Sequence, residues 1–353
     1  MAQQRRLDTA PWVAFASIGA AILIVVTFMV TAGFDVSSAA GAAFRGAFGS
    51  SFAIISATLK RTVPLMTVGL AVAVAFRAGV LNIGGEGQFV MGAVAAATVG
   101  QAFPVLPSPL GAVVPIAAGV VAGGVWAGVP AILKRYGGAT EVVTTLLLNL
   151  IAVQVVAYLV RGPLQEPTGA YPQSAELPSA MHLPLLIDGQ RLHAGFVVAF
   201  AMIVFAGWGF RYSAAGFRSL VTGMNPNAAA VSGRIDVMGL QARALVLSGM
   251  IAGLAGAVEV AGVTYSVYDG IASGVGYTAI AVALLGNLNP PGILGAAVLF
   301  GALGSGADAI EVNIYQVGAD PAVTGEQIEA ECLEIVRSVR SAVKVPIALK
   351  LSP

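Results

Sequence analysis

Long apolar runs recur from residue 11 to residue 303, and they constrain this chain more than any other feature. At 57% hydrophobic and 10% charged, the 353 residues hold far fewer charges than soluble domains, which run near a quarter charged. Runs of this length suit a hydrocarbon layer of ~30 Å crossed at ~1.5 Å per residue. Backbone in lipid must satisfy its own hydrogen bonds, which leads to helices. The expected fold is an all-α polytopic membrane protein with about nine spans, near 11–34, 62–76, 88–102, 109–133, 141–160, 194–210, 241–265, 275–288 and 292–303. Several are short and broken by Gly or Pro, a habit of transport proteins whose backbone lines a cavity. Abundant glycine, 44 residues, suits close helix packing in lipid.

Arg5 and Arg6 precede the first run, so the N-terminus is expected to be cytoplasmic. Alternation then puts Lys134, Arg135 and the 211–243 segment inside, and the Pro-rich 161–191 segment outside. A net charge of +1 argues against a nucleic-acid partner. One cysteine, Cys332, excludes an intrachain disulfide and a Cys-rich metal site, and no metal site is expected. His182 and His193 read as water-exposed loop imidazoles.

Three polar constellations stand out. Arg77 to Gln88 holds four glycines, which free the backbone to turn sharply. It reads either as a helix break presenting Asn82, Glu86 and Gln88 to a pathway, or as a tight turn held by an Arg77–Glu86 pair. It lacks the G-K-[ST] of a phosphate loop. Glu141, Thr144, Thr145 and Asn149 share one helix face, which must meet protein or water. Glu259, Thr264, Tyr265, Tyr268 and Asp269 read as an external vestibule or an interfacial belt. On the cytoplasmic side, Asn225-Pro226 makes a turn, and a short helix is expected to start with Asn227 as N-cap and stop at Gly233. Segments 73–93 and 281–302 echo one another: an apolar run, G-x-L-N, a Gly- or Pro-rich break, then a second apolar run.

FRAGVLNIGGEGQ (76–88), GATEVVTTLLLN (138–149), GMNPNAAAVSGRI (223–235), SGMIAGLAGA (248–257) and GYTAIAVALLGNLNPPG (276–292) resemble, in order, the permease subunits of bacterial ABC importers for ribose-type sugars and nucleosides. The resemblance covers roughly residues 10–304 and is closest to the nucleoside branch. It implies a multi-pass subunit of the bacterial inner membrane with no catalytic residues and no bound cofactor. ATP is used by two cytoplasmic ATP-binding subunits. A second permease, identical or not, completes the pathway, and a lipid-anchored or periplasmic binding protein delivers solute. It also implies that Asn225, Pro226, Asn227, Ala228, Ala229, Ser232 and Gly233 couple to the ATPase, and that the break holding Asn82, Glu86 and Gln88 is part of the core around the pathway. Glu141 and Asn149 are pathway candidates from their shared helix face, with interhelical hydrogen bonding as the other reading. A free-sugar permease and a proton-coupled secondary transporter using Glu86 or Glu141 are the alternatives.

The pattern changes between Leu303 and Ala307. The last 47 residues hold 11 of the 35 charges. Alternation over 306–315, an amphipathic stretch over 324–342 and a second strand over 344–351 give the expectation of a soluble βαβ fragment. ADAIEVNIY and VPIALKLSP resemble dihydroorotate dehydrogenase-like flavoprotein barrels, which implies that Asn313 and Lys350 match flavin-proximal positions. One βαβ unit cannot close an eight-stranded barrel, so no flavin binding or redox activity is expected. The resulting division is a permease domain, 1–304, and an incomplete barrel fragment, 305–353.

Overall fold

The computed structural model of the chain describes residues 19–308, apart from 21, 32–35, 106, 108–109 and 232–234. By internal contacts the chain divides into two units, Ile54–Ala302 and a smaller one made of Met1–Ala53 with Leu303–Pro353. In the smaller unit, α1 (Ile22–Thr31) is a short apolar helix and α2 (Val36–Phe48) carries Arg45 in its last turn. A Cβ on Gly306 would lie 2.8 Å from the Ala43 carbonyl, so two backbones approach closely there.

The larger unit is built from α3 (Lys60–Arg77, entered through a π-turn segment), α4 (Gly85–Ala102), α5 (Leu110–Gly137), α6 (Glu141–Val160) and α7 (Gly195–Tyr212). They are followed by α8 (Ala214–Met224), α9 (Pro226–Val231), α10 (Val237–Glu259, continuing as a π-turn to Thr264), α11 (Val275–Leu285) and α12 (Pro290–Asp308), of which the residues from Leu303 on belong to the smaller unit. Among the described residues six helices are long and apolar enough to cross a membrane: Ala53–Arg77, Leu110–Gly137, Glu141–Val160, Gly195–Tyr212, Val237–Thr264 and Pro290–Asp308. The expected count of nine is corrected accordingly. α11 has only eleven residues, and the described apolar helix inside 11–34 spans Ile22–Thr31. α4 has eighteen residues but carries Glu86, Gln88 and Gln101. Its polarity is tolerable because twelve of those eighteen residues are buried, chiefly against α5, α10 and α6.

Burial separates the centre from the rim. The span ending in α3 is 67% buried and that of α10 72%, against 28% for α5, 22% for α6 and 17% for α7. Exposed Leu, Val and Phe side chains on α5, α6 and α7 are therefore lipid-facing surface. The α5–α10 crossing is made by glycine. A Cβ on Gly119, Gly123, Gly249 or Gly253 would collide with atoms of the facing helix, so these backbones touch directly. Gly92 brings α4 onto Gly253 in the same way, locking three helices at one point.

Two expectations at the C-terminal end change. The strand expected from Gly306 begins as helix, because α12 runs unbroken through Asp308. Among the described residues there is no strand, only isolated bridges such as Gln165 with Ser174 and Gln173 with Tyr268. The rest of the expected βαβ fragment, with Asn313, Cys332 and Lys350, lies outside the described residues.

Candidate functional site

α3 ends at Arg77, and the chain does not turn straight into another helix. Gln241 Nε2 reaches the Ala78 carbonyl at 3.4 Å, and Asn82 Nδ2 donates to Ser248 Oγ at 2.8 Å. Gln241 and Ser248 are seven residues apart on α10, about 10 Å of rise. Residues 78–84 therefore climb back into the bundle as non-helical backbone, with turns at 78–79 and 84. Gly85, the first residue of α4, sits against Val68, halfway along α3. α4 thus starts near mid-depth.

Irregular backbone at that depth needs a partner for each polar group, and α6 supplies most of them. Leu81 N–H donates to Glu141 (3.4 Å) and Ile83 N–H to Thr145 Oγ1 (3.3 Å). Asn149 accepts from Gly87 N–H at 2.8 Å and donates to the Ile83 carbonyl at 2.9 Å. Asn82 Oδ1 accepts from Gly84 N–H, and Asn82 and Gln88 exchange side-chain bonds at 2.9 and 3.1 Å. Ser248 Oγ donates to the Ala71 carbonyl at 2.6 Å. The shared face expected of Glu141, Thr145 and Asn149 is thus the clamp on the 81–87 segment, while Thr144 bonds only within its own helix. Asn82, Glu86, Gln88 and Asn149 are all buried.

The second half of the chain comes to the same place from the opposite end. Val267 and Ser174 exchange hydrogen bonds in the Pro-rich loop that follows α6, and the chain then continues to Gly274. α11 starts there, against the first turn of α4. A Cβ on Gly276 would overlap the Glu86 backbone, so only glycine allows the approach. Glu86 lies in α4's own first turn and accepts from Gly274 N–H at 2.8 Å and Gly276 N–H at 2.6 Å. One carboxylate thus sits on two helix N-termini, each the positive end of its helix. The expected Arg77–Glu86 pair does not form; Arg77 stacks on the Phe210 ring at 4.4 Å. Glu141 pairs instead with Lys134 at 2.7 Å.

Sequence reasoning passed over Tyr277, whose hydroxyl accepts from Asn149 Nδ2 at 3.2 Å while its side chain is 44% exposed. It is the member of this cluster that reaches an open surface. Its signal was the polar pair Gly276-Tyr277 at the head of an apolar run.

At the end expected to be cytoplasmic, α8 and α9 form an arm. α9 begins at Pro226, and Asn225 Oδ1 accepts from Ala228 N–H at 3.0 Å. The N-cap is therefore Asn225, not Asn227 as expected; proline favours the first helical position because its missing N–H has no intrahelical use there. Ala229 is buried, Ala228 and Asn227 are exposed, and Ser232 and Gly233 lie outside the described residues. The arm is seated on the break: a Cβ on Gly223 would collide with the Arg77 carbonyl, and Gly79, with φ +76°, packs back against Gly223.

The loop between α6 and α7 carries a further correction. His193 is 1% exposed rather than water-facing. Gly195 and Gly262 both press against its ring, and Gly195 N–H donates to Nδ1 at 3.2 Å. Burial, helped by the Lys60 ammonium, lowers its pKa to about 4. His182 stacks on Tyr265 with ring centroids 3.8 Å apart, and Asp269 pairs with Arg161 at 2.7 Å. Among the described residues no cluster of His, Cys, Asp or Glu is arranged to hold a metal ion.

Residues 54–321 match the family described as branched-chain amino acid transport system / permease component. The chain belongs to that permease family. The match continues past the 303–307 region where the family resemblance was expected to end. The permease is 36% identical to the guanosine ABC transporter permease protein NupP of Bacillus subtilis over 286 residues, 79% of this chain and 80% of the relative. It is 33% identical to the glucose ABC transporter permease protein TsgB13 of Haloferax volcanii over 317 residues, 85% and 82% of the two chains. It is 30% identical to the nucleoside ABC transporter permease protein NupB of Lactococcus lactis, covering 87% and 82%. The permease is a multi-pass membrane transport subunit of an ABC importer and not an enzyme.

Proposed function

We propose that this permease forms the translocation pathway of an ATP-driven importer for nucleosides or related pentosides. The observation that carries the pathway assignment is the meeting of α4 and α11 at Glu86: two interrupted helices whose N-termini converge inside the bundle, a construction that membrane transporters use at solute sites. Asn82, Gln88, Glu141 and Asn149 hold that junction, and Tyr277 carries it to the open face. Solute class is supported by the relatives named for guanosine and nucleosides. A free sugar is the second reading, favoured by the glucose permease relative.

In this reading two cytoplasmic ATP-binding subunits bear on the 225–233 arm, with exposed Met224 and Val231 as apolar contacts. Their movement passes through Gly223 to Arg77 and Gly79, and so to the break and Glu86. A second permease copy or homologue and an extracytoplasmic binding protein complete the importer. The reading of 305–353 as an incomplete barrel fragment, with vestigial contacts at Asn313 and Lys350, rests on sequence resemblance alone and assigns no redox role.

Competition uptake in cells carrying the complete transporter tests the solute class. Excess unlabelled nucleoside is expected to suppress uptake of labelled nucleoside while excess glucose leaves it unchanged. Suppression by glucose would favour the sugar reading.

A further inference from the structure

Two neighbouring hollows on the cytoplasmic half of α10 share Arg243 and Leu247. One, of about 390 Å³, is a groove between α5 and α10 floored by Gly128, Ala131, Ile132, Val246 and Met250. Nothing lies within 4 Å of where a Gly128 side chain would begin, and Ile132 and Leu247 are 60% and 48% exposed. The other, of about 420 Å³, opens at the helix ends beside Arg218, Ser219, Asp236 and Arg243. Arg135 stands between them and pairs with Asp236 at 3.2 Å. Three arginines against one carboxylate leave two positive charges, and among the described residues Arg218 and Arg243 have no ion-pair partner. Asp236 is otherwise occupied, since it also caps α10 through Gly239 N–H at 2.9 Å.

The geometry points to a seat for an anionic phospholipid of the cytoplasmic leaflet. Its phosphate sits at Arg243, flanked by Arg135 and Arg218, and one acyl chain lies in the groove past Gly128. Gly128 and Arg135 are seven residues apart, about 10 Å along α5, so the groove runs from headgroup level into the apolar layer. Charge and shape choose this occupant together. An acidic protein would satisfy the arginines and leave the groove empty, whereas a lipid fills both, as basic pockets between membrane helices do. The tyrosine next to Arg135, Tyr136, is 77% exposed, as suits a headgroup-level aromatic.

The test is native mass spectrometry of the full-length permease purified in mild detergent, with added dioleoylphosphatidylglycerol or dioleoylphosphatidylcholine. The glycerol lipid is expected to be retained over the choline lipid. Arg243→Gln should lower retention about fivefold, from the usual gain per basic residue at an anionic surface, and Arg243→Lys should largely restore it. Gly128→Leu, which fills the groove from open space and keeps all three arginines, should also lower retention. Equal retention of the two lipids would overturn the proposal, as would retention indifferent to Gly128→Leu. Displacement of the lipid by millimolar inorganic phosphate would make this a free-phosphate site. Unchanged retention in Arg243→Gln with loss of ATPase co-purification would give the arginines to the ATPase. A stable dimer retaining no phospholipid would give the groove to a second copy.

Discussion

Glu86 and Gly276 face each other across two helix starts, 2.6 Å from carboxylate oxygen to backbone nitrogen. They are separated by 190 residues of chain, so this bond joins the two halves of the permease at the place where both are interrupted. Carried on the first turn of α4, the carboxylate accepts from two N–H groups at the start of α11, that of Gly276 buried, and lies at the positive ends of both helices.

Glu86→Gln keeps the shape but replaces one acceptor oxygen with a donor aimed at a backbone N–H. Loss of a charge-assisted bond and the resulting clash of donors should destabilise the fold by about 2 kcal/mol and reduce uptake at least tenfold. Detergent melting curves and transport assays on the same preparations check both. Wild-type melting and uptake in this variant would count against a joining role.

Gly253 has neither room nor freedom to change. A Cβ there would press into the Gly119 carbonyl and the Gly123 backbone. Gly253→Val should cost roughly 1–3 kcal/mol or more through overpacking, read as a lower melting temperature. Gly128→Ala, on one of the same two helices but with open space above it, is expected to melt like wild type. Equal effects would contradict the glycine crossing.

His193 gives the permease an acid limit. Unfolded, its imidazole takes a proton as pH falls through its ordinary 6.5; folded, burial keeps it neutral down to about 4. Stability contributed by the neutral ring is complete above 6.5 and is lost as pH falls from 6.5 to 4, by up to about 3 kcal/mol. Melting temperature against pH should drop through that window in wild type and less steeply in His193→Gln. Parallel curves would show that another group sets the limit.

Asn225→Ala removes the cap of α9 and is expected to cost about 1 kcal/mol locally. Insertion into the membrane should persist while ATP-driven uptake falls several-fold; Asn227→Ala, at an exposed position without a capping bond, should leave the melting temperature close to that of wild type. The opposite ranking would place the cap where the sequence alone suggested it.

How much of this was legible beforehand follows from the physics of each signal. Apolar run length located α5, α6, α7 and α10 because those helices meet lipid or span it fully. It misjudged α4, whose hydropathy is set by the helices that wrap it rather than by lipid. The 76–88 motif drew notice through its glycines and charges, but its bonding partners Ser248, Gly274 and Gly276 lie some 160 to 190 residues away, and no local pattern encodes such pairings. The echo of 73–93 in 281–302 corresponds to two helix–break–helix elements, α3–α4 and α11–α12. His193 was misplaced because burial beneath two glycines is a tertiary fact. Asn225 and Asn227 were indistinguishable by residue type until the position of Pro226 at the first helical turn was fixed.

The most direct measurement is uptake of a labelled nucleoside into proteoliposomes holding the permease, its ATP-binding subunits and the binding protein. Uptake that requires both ATP and the ATP-binding subunits, and that collapses in Glu86→Gln, is the predicted result. Uptake that proceeds without those subunits on a proton gradient would contradict it.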